Sequence, residues 1–151
     1  MDGTSDFAKR FSGRQIPVFM DIRWVLAEPH WTVNVTKVPK DLVKLSRVDW
    51  TARVITLDTN DFATRTECFG LDRSICVSQV PIAHEFGHTI GNIGSIHRER
   101  EDEYKLTSRY VSDFHSIMHR GNQLRERHFA HLLTELYELI PDTEFTLGRV
   151  Q

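Results

Sequence analysis

The chain has 151 residues, which is enough for one domain to bury a core without relying on metal or disulfide bonds. Its hydrophobic fraction of 40% and charged fraction of 26% are ordinary for a globular protein, and a net charge of -2 gives no reason to expect a nucleic-acid partner. No apolar run approaches the ~20 residues of a membrane span, and the first residues lack a signal peptide's apolar core. These observations predict one soluble domain over residues 1–151.

The first half of the chain carries mainly strand signals. β-Branched and aromatic residues over residues 16–25, 31–38 and 53–57 predict three strands. Residues 39–45 are typical of a turn with a short helix, and residues 58–68 of a polar loop or an edge strand. The tryptophans are expected to pack on or between the strands; they are Trp24, Trp31 and Trp50.

A first helix of about three turns is predicted from Ser78, a favourable N-cap residue, with Pro81 in its first turn. Gly91 and Gly94 are expected to end this helix, and the charged residues 95–109 to form a loop beside it.

A second helix is predicted over residues 122–140, because apolar residues recur there at helical spacing and Pro141 follows. The stripe is expected to belong to the core; it consists of Leu124, Phe129, Leu132, Leu133, Leu136 and Ile140. Residues 144–147 are expected to add a last strand.

Two cysteines, Cys68 and Cys76, lie on either side of a turn-like stretch. A disulfide bond and a pair of buried thiols are equally consistent with this spacing. Neither cysteine is expected to take part in catalysis.

The segment His84-Glu85-Phe86-Gly87-His88 has the spacing of a metal site. Residues four apart on a helix project from the same face, so His84 and His88 can direct two imidazole nitrogens at one ion. A carboxylate beside the ion that does not bind it can take a proton from a water activated by the metal, and Glu85 is placed for that role.

These residues resemble the metzincin metallopeptidases. The string His84-Glu85-Phe86-Gly87-His88-Thr89-Ile90-Gly91 is similar to the first part of their zinc signature, and Ser116-Ile117-Met118 resembles their Met-turn. The resemblance covers residues 78–145. It implies an α+β zincin-like fold, with a twisted mixed sheet, an active-site helix and a C-terminal helix after the Met-turn.

The chain departs from the metzincin pattern at the third metal ligand. The usual position is Gly94, which has no ligating side chain. Asp102-Glu103-Tyr104 resembles the Asp-Glu-Tyr that follows the glycine directly in a group of small bacterial zincins, here displaced by an insertion of about eight residues. On that resemblance Asp102 is the third ligand, and His97 is the alternative. Less favoured are the neighbouring acids Glu99, Glu101 and Glu103.

Other residues are assigned supporting roles. Tyr104 or Tyr110 can donate a hydrogen bond to an oxyanion, and Met118 is expected to form the floor of the site without binding metal. His115 and His119 flank the Met-turn and can orient a ligand or the substrate.

The resemblance implies a zinc-dependent endopeptidase that hydrolyses polypeptides, with Glu85 as general base and then general acid. It also suggests a bacterial toxin or effector domain, secreted or delivered by a specialised system without a signal peptide, with a cognate immunity protein or a delivery module as partner. A housekeeping peptidase is the alternative biology. The alternative function is a non-catalytic zincin-fold module that binds metal or another protein.

Overall fold

The computed structural model describes residues 13–15, 17, 19–42, 44–93, 102–148 and 150, and these form an α+β structure. The strands are β1 (Thr32–Thr36), β2 (Arg47–Asp49), β3 (Val54–Asp58), β4 (Arg65–Phe69) and β5 (Ile75–Gln79). The helices are α1 (Pro81–Thr89), a 3-10 helix (Glu126–Phe129) and α2 (Ala130–Leu139). The α+β class is therefore confirmed, whereas the zincin-like fold and the single domain over residues 1–151 stay predictions.

The described strands form a mixed sheet and a hairpin. In the three-stranded sheet β3 is central, with β1 parallel to it on one side and β2 antiparallel on the other. Strands β4 and β5 pair antiparallel, and Cys68 lies opposite Cys76 in their register. These two cysteines form a disulfide, which settles the alternative left open by their spacing.

The described apolar core is small. Its buried residues come from β3, β5 and the loop before the 3-10 helix; they are Ile55, Leu57, Val77, Ile117 and Met118. Ile55 and Leu57 alternate along β3 and so project from the same face of the sheet. The core thus draws on both sets of strands and on the loop that carries Met118.

Two of the three strand predictions in the first half of the chain are confirmed by β1 and β3. The prediction for residues 16–25 is wrong where the chain is described, because residues 19–25 have no regular structure; residues 16 and 18 lie outside the described part. Their apolar side chains include Trp24, which is 85% exposed. Strand propensity needs a pairing partner, and no described strand pairs with residues 19–25.

The remaining predictions for the first half are partly met. Residues 39–42 and 44–45 contain a turn but no helix, whereas residues 58–68 include a turn followed by β4. Trp31 and Trp50 do pack together, with ring centroids 5.5 Å apart. Trp24 does not pack on a strand as predicted.

The first helix begins later than predicted. Ser78 belongs to β5, where its hydroxyl hydrogen-bonds to that of Thr66, so it is not the N-cap. The helix begins at Pro81, and Val80 before it is extended, as a residue preceding proline prefers. The helix ends at Thr89, and Gly91 adopts a φ of 100°, a conformation that glycine tolerates best. Gly94 lies outside the described residues.

The C-terminal helix is shorter and more exposed than predicted. Gln123 instead forms a bridge with Ser116, so the chain turns helical only at the 3-10 segment. No residue of α2 is fully buried and Leu124 is 36% exposed, so the stripe is only partly buried and not the core that was predicted. Residues 144–147 form no strand.

Among the described residues, no helix has the length and apolar character needed to cross a membrane.

Candidate metal centre

Two histidine side chains project from α1 with fixed ring orientations. The Nδ1 atom of His84 lies 2.8 Å from the carbonyl oxygen of Ile117, and Nδ1 of His88 lies 2.6 Å from that of Asn92. A carbonyl only accepts hydrogen bonds, so each Nδ1 donates its proton to it, and Nε2 is the nitrogen that faces the site, where it donates to Asp102 in a protonated ring and offers a lone pair to a metal ion in a neutral one. Histidine rings that donate one N–H to a backbone carbonyl in this way are typical of metal-binding sites.

The free nitrogens of both rings converge on Asp102. The Nε2 atoms of His84 and His88 each lie 3.2 Å from Oδ1 of Asp102. For a tetrahedral ion with ligands at ~2.0–2.1 Å, the ligand atoms are separated by ~3.3 Å. One ligand atom from each of the three residues lies within 4.8 Å of the others. Spacing and donor types therefore both fit a divalent ion bound by His84, His88 and Asp102.

The charges in this cluster favour an ionised Asp102. Burial raises the pKa of the Asp102 carboxyl, but hydrogen bonds with His84 and then His88 outweigh burial and bring the pKa well below its usual range. Burial lowers the pKa of His88, yet its hydrogen bond to Asp102 leaves that pKa raised overall. A carboxylate that is already ionised needs no deprotonation before it binds a metal ion.

Glu85 lies beside the cluster without belonging to it. Its side chain is only 7% exposed, and burial raises the pKa of its carboxyl despite the neighbouring histidines. The Oε2 atom is buried with no hydrogen-bond partner in the described structure. A buried carboxylate oxygen without a partner is costly, so this atom needs a functional explanation.

The loop carrying Met118 packs directly against α1. A Cβ atom added at Gly87 would collide with the sulfur of Met118, so the glycine between the two histidines makes room for this side chain. Met118 is 1% exposed and packs beneath the helix at Gly87, while its role as the floor of a metal site stays a prediction.

Gln79, the last residue of β5, ties this loop to the helix. Its Nε2 donates to the carbonyl oxygens of Ile117 and His119, both at 3.1 Å, and lies 3.3 Å from Nδ1 of His84. No pattern in the sequence indicated this role.

The two tyrosines are placed differently. The ring of Tyr104 faces His84, with centroids 6.2 Å apart, and its side chain is 42% exposed. Burial and the nearby Asp102 raise the pKa of the Tyr104 hydroxyl, which therefore stays protonated. Tyr110 instead lies beneath the guanidinium of Arg127, at 4.0 Å. The structure thus brings Tyr104, and not Tyr110, beside the histidines.

The histidines that flank residues 116–118 have structural contacts. Nε2 of His119 donates to the carbonyl oxygen of Val111 at 2.9 Å, and the buried Nδ1 has no partner among the described residues. The backbone of His115 packs against Gly121 so closely that a side chain at position 121 would collide with it. His97, Glu99 and Glu101 lie outside the described residues. Of the two candidate third ligands that are described, Asp102 lies beside both histidines, whereas Glu103 pairs with Arg127.

The sequence also gave no indication of Asn92. Its side-chain amide is buried and donates to the carbonyl oxygens of Gly87 at 2.9 Å and His128 at 3.0 Å. The carbonyl oxygen of Asn92 also accepts the hydrogen bond from Nδ1 of His88. Asn92 therefore holds both the end of α1 and one candidate ligand in place. A pattern in one sequence cannot show this, since the partner at position 128 is distant in the chain.

Comparisons with protein-family models, with curated proteins and with solved structures find no match to this chain.

Proposed function

We propose that this chain is a zinc-dependent endopeptidase in which His84, His88 and Asp102 hold the metal and Glu85 transfers protons. One observation carries the proposal: both histidine Nε2 atoms lie 3.2 Å from one oxygen of Asp102, beside a Glu85 oxygen that has no described partner. Three protein donors are typical of catalytic zinc sites, whereas structural zinc sites use four.

The ligand residues each have a defined task. When bound, zinc supplies a Lewis acid that polarises a peptide carbonyl and makes water acidic near neutral pH. His84 and His88 present Nε2 because their Nδ1 protons are engaged by backbone carbonyls. Asp102 adds one negative charge, which offsets part of the charge of a divalent ion.

Glu85 is suited to proton transfer. Because Oε2 has no described hydrogen-bond partner, it can accept a proton from an attacking water without first breaking another bond. The same oxygen can then return that proton to the amine that leaves from the cleaved peptide. Tyr104, whose half-exposed ring lies beside His84, is the candidate donor to the oxygen that becomes negative during attack.

The proposed substrate is a polypeptide, and the proposed biology is that of a bacterial toxin or effector domain, secreted or delivered to its target. Its partners would then be a cognate immunity protein or a delivery module. The alternative is a non-catalytic module that binds metal or another protein with the same residues. What separates the two is Glu85, because a purely structural metal site has no need for an unpartnered carboxylate next to its ligands.

The test compares two neighbouring substitutions. Bound zinc is measured after dialysis, and cleavage of an unfolded protein substrate is followed at pH 7. We expect near-stoichiometric zinc in the wild type, loss of both zinc and activity in His84→Ala, and a loss of activity of about 100- to 10,000-fold with zinc retained in Glu85→Gln. Folded wild-type protein that binds no zinc, or a Glu85→Gln variant as active as wild type, would overturn the proposal.

A further inference from the structure

Glu103, next to the candidate ligand Asp102, points into the protein interior and not into the metal site. It is 3% exposed, and its carboxylate receives two hydrogen bonds from Arg127, Nε to Oε1 at 2.6 Å and Nη2 to Oε2 at 2.8 Å. Its backbone N–H donates to the carbonyl oxygen of Met118 at 2.8 Å. Both the side chain and the main chain of this residue are therefore held.

The ion pair continues into the C-terminal part of the structure. Arg127 also donates to Asp113 at 2.7 Å, and Nε2 of His128 lies 3.3 Å from Oε1 of Glu103. The same His128 nitrogen lies 3.2 Å from the hydroxyl of Ser116, and that hydroxyl accepts from the backbone N–H of Met118 at 3.3 Å. The 3-10 helix, the Met-turn and the residue after Asp102 thus form one hydrogen-bonded unit.

Glu103 and Arg127 form a two-pronged pair that is largely shielded from solvent. A two-pronged guanidinium–carboxylate pair fixes orientation as well as distance, which a single charge cannot do.

We propose that Arg127 and Glu103 are positioning residues that hold Asp102 at the metal site. This inference rests on the proposed function, since it presupposes that Asp102 binds metal. Asp102 comes well after the end of α1, so the helix that aims the two histidines does not aim the carboxylate. Glu103, the next residue, is held by its backbone and side-chain hydrogen bonds, and it therefore limits where Asp102 can lie. Substituting a residue that holds a metal ligand in place commonly weakens metal affinity by about 10- to 100-fold.

Arg125 provides a matched control for Arg127. It has the same side chain, lies two residues earlier and makes a two-pronged pair with Asp113, with both distances 2.8 Å. The side-chain exposures are also close, 29% for Arg125 and 24% for Arg127. No described hydrogen bond joins Arg125 to Glu103, so a substitution there tests loss of a partly buried, paired arginine without loss of the Arg127–Glu103 pair.

The experiment measures zinc affinity by chelator competition and the visible spectrum of the Co²⁺-substituted protein. In Arg127→Met we expect zinc to bind about 10- to 100-fold more weakly and the cobalt bands to shift or weaken, because Asp102 is no longer aimed. In Arg125→Met we expect affinity within about 3-fold of wild type and an unchanged cobalt spectrum. Glu103→Gln, which preserves shape, should resemble Arg127→Met, and Arg127→Lys should lie between that variant and wild type.

Unfolding midpoints measured without metal separate positioning from general destabilisation. Equal zinc losses in Arg127→Met and Arg125→Met, or a wild-type cobalt spectrum in Arg127→Met, would show that the pair only stabilises the fold. If Arg127→Met does not fold, Glu103→Gln decides by the same two measurements. Failure of the proposed function is recognised separately, because the wild type would then bind no zinc or His84→Ala would bind it normally.

Discussion

Residues 19–36 and the described residues between Gln79 and His128 differ in which class of side chain they bury. In the first segment apolar side chains are left in solvent: Phe19, Ile22, Trp24 and Leu26 are each at least 77% exposed, and every residue of β1 is exposed. In the second, polar side chains are buried and hydrogen-bonded, among them His84, Asn92, Glu103, Ser116 and His128. The contrast runs against the usual placement of both classes of residue.

This difference indicates where the chain is constrained. Buried polar groups are costly unless each finds a partner, so such a network tolerates few alternative arrangements. Exposed apolar side chains have few packing contacts, so they place little constraint on the arrangement of the chain around them. The described structure is therefore most tightly determined around the candidate metal centre and least so over residues 19–26. Substitutions in the two regions should separate in their effects on stability and on metal binding.

The most direct test of the contrast pairs two leucines. Leu57 in β3 is 2% exposed and Leu26 is 94% exposed. We expect Leu57→Ala to lower the free energy of unfolding by about 2–5 kcal/mol, because it leaves a cavity in the core. Leu26→Ala should change it by less than about 0.5 kcal/mol. Denaturant titration measures both values, and similar losses would show that residues 19–26 are packed in solution.

The second prediction concerns the third ligand. Asp102→Ala should weaken zinc binding by about 100-fold or more, since a ligand contributes more than the groups that support it. His97→Ala, in the part of the chain that the structure does not describe, should change affinity by less than about 3-fold. Competition against a zinc chelator measures both constants. The reverse ranking would identify position 97 as the ligand.

The third prediction tests the contact between α1 and the loop that carries Met118. Gly87→Ala places a methyl group where the sulfur of Met118 lies, so the buried methionine must shift. We expect a loss of about 1–3 kcal/mol of stability, the usual cost of overpacking. Gly148→Ala is the control, because a Cβ there meets no atom within 4 Å. An unchanged unfolding midpoint in Gly87→Ala would contradict the packing described here.

How far the site was predictable from sequence depends on whether the information is local. Helical spacing alone brought His84 and His88 together, and Gly91 ends their helix through its own backbone freedom. Asp102 was assigned as a ligand from a resemblance; the structure brings its carboxylate beside both histidines, and its role as a ligand stays a prediction. The anchors Gln79, Asn92 and Arg127 were not predicted, because each contacts groups far away in sequence.

The fold was less predictable for a related reason. Residues 19–25 and the stripe in α2 carry strong apolar patterns, but a pattern states only a tendency to be buried. The first segment finds no described strand to pair with, and α2 has no described buried residue. Strands β1 and β3 were predicted correctly because their strand-forming residues pair with each other through backbone hydrogen bonds.

The smallest effect is expected at the outer end of the ion network, where Asp113 is partly exposed. Hydrogen bonds from Arg125, followed by those from Arg127, outweigh burial and hold the pKa of the Asp113 carboxyl below its usual range. A carboxyl with a lowered pKa in the folded state stabilises the fold above its unfolded pKa of ~3.9, and this stabilisation is lost as the pH falls further.

Asp113→Asn should therefore cost about 1 kcal/mol at pH 7, and its stability should approach that of wild type as the pH falls below ~3.9. Urea titrations of both proteins at pH 7, 5 and ~3 would measure the difference. A gap that stays constant over this range would show that the charge of Asp113 does not contribute. A gap that widens towards acid would contradict the direction of the pKa shift itself.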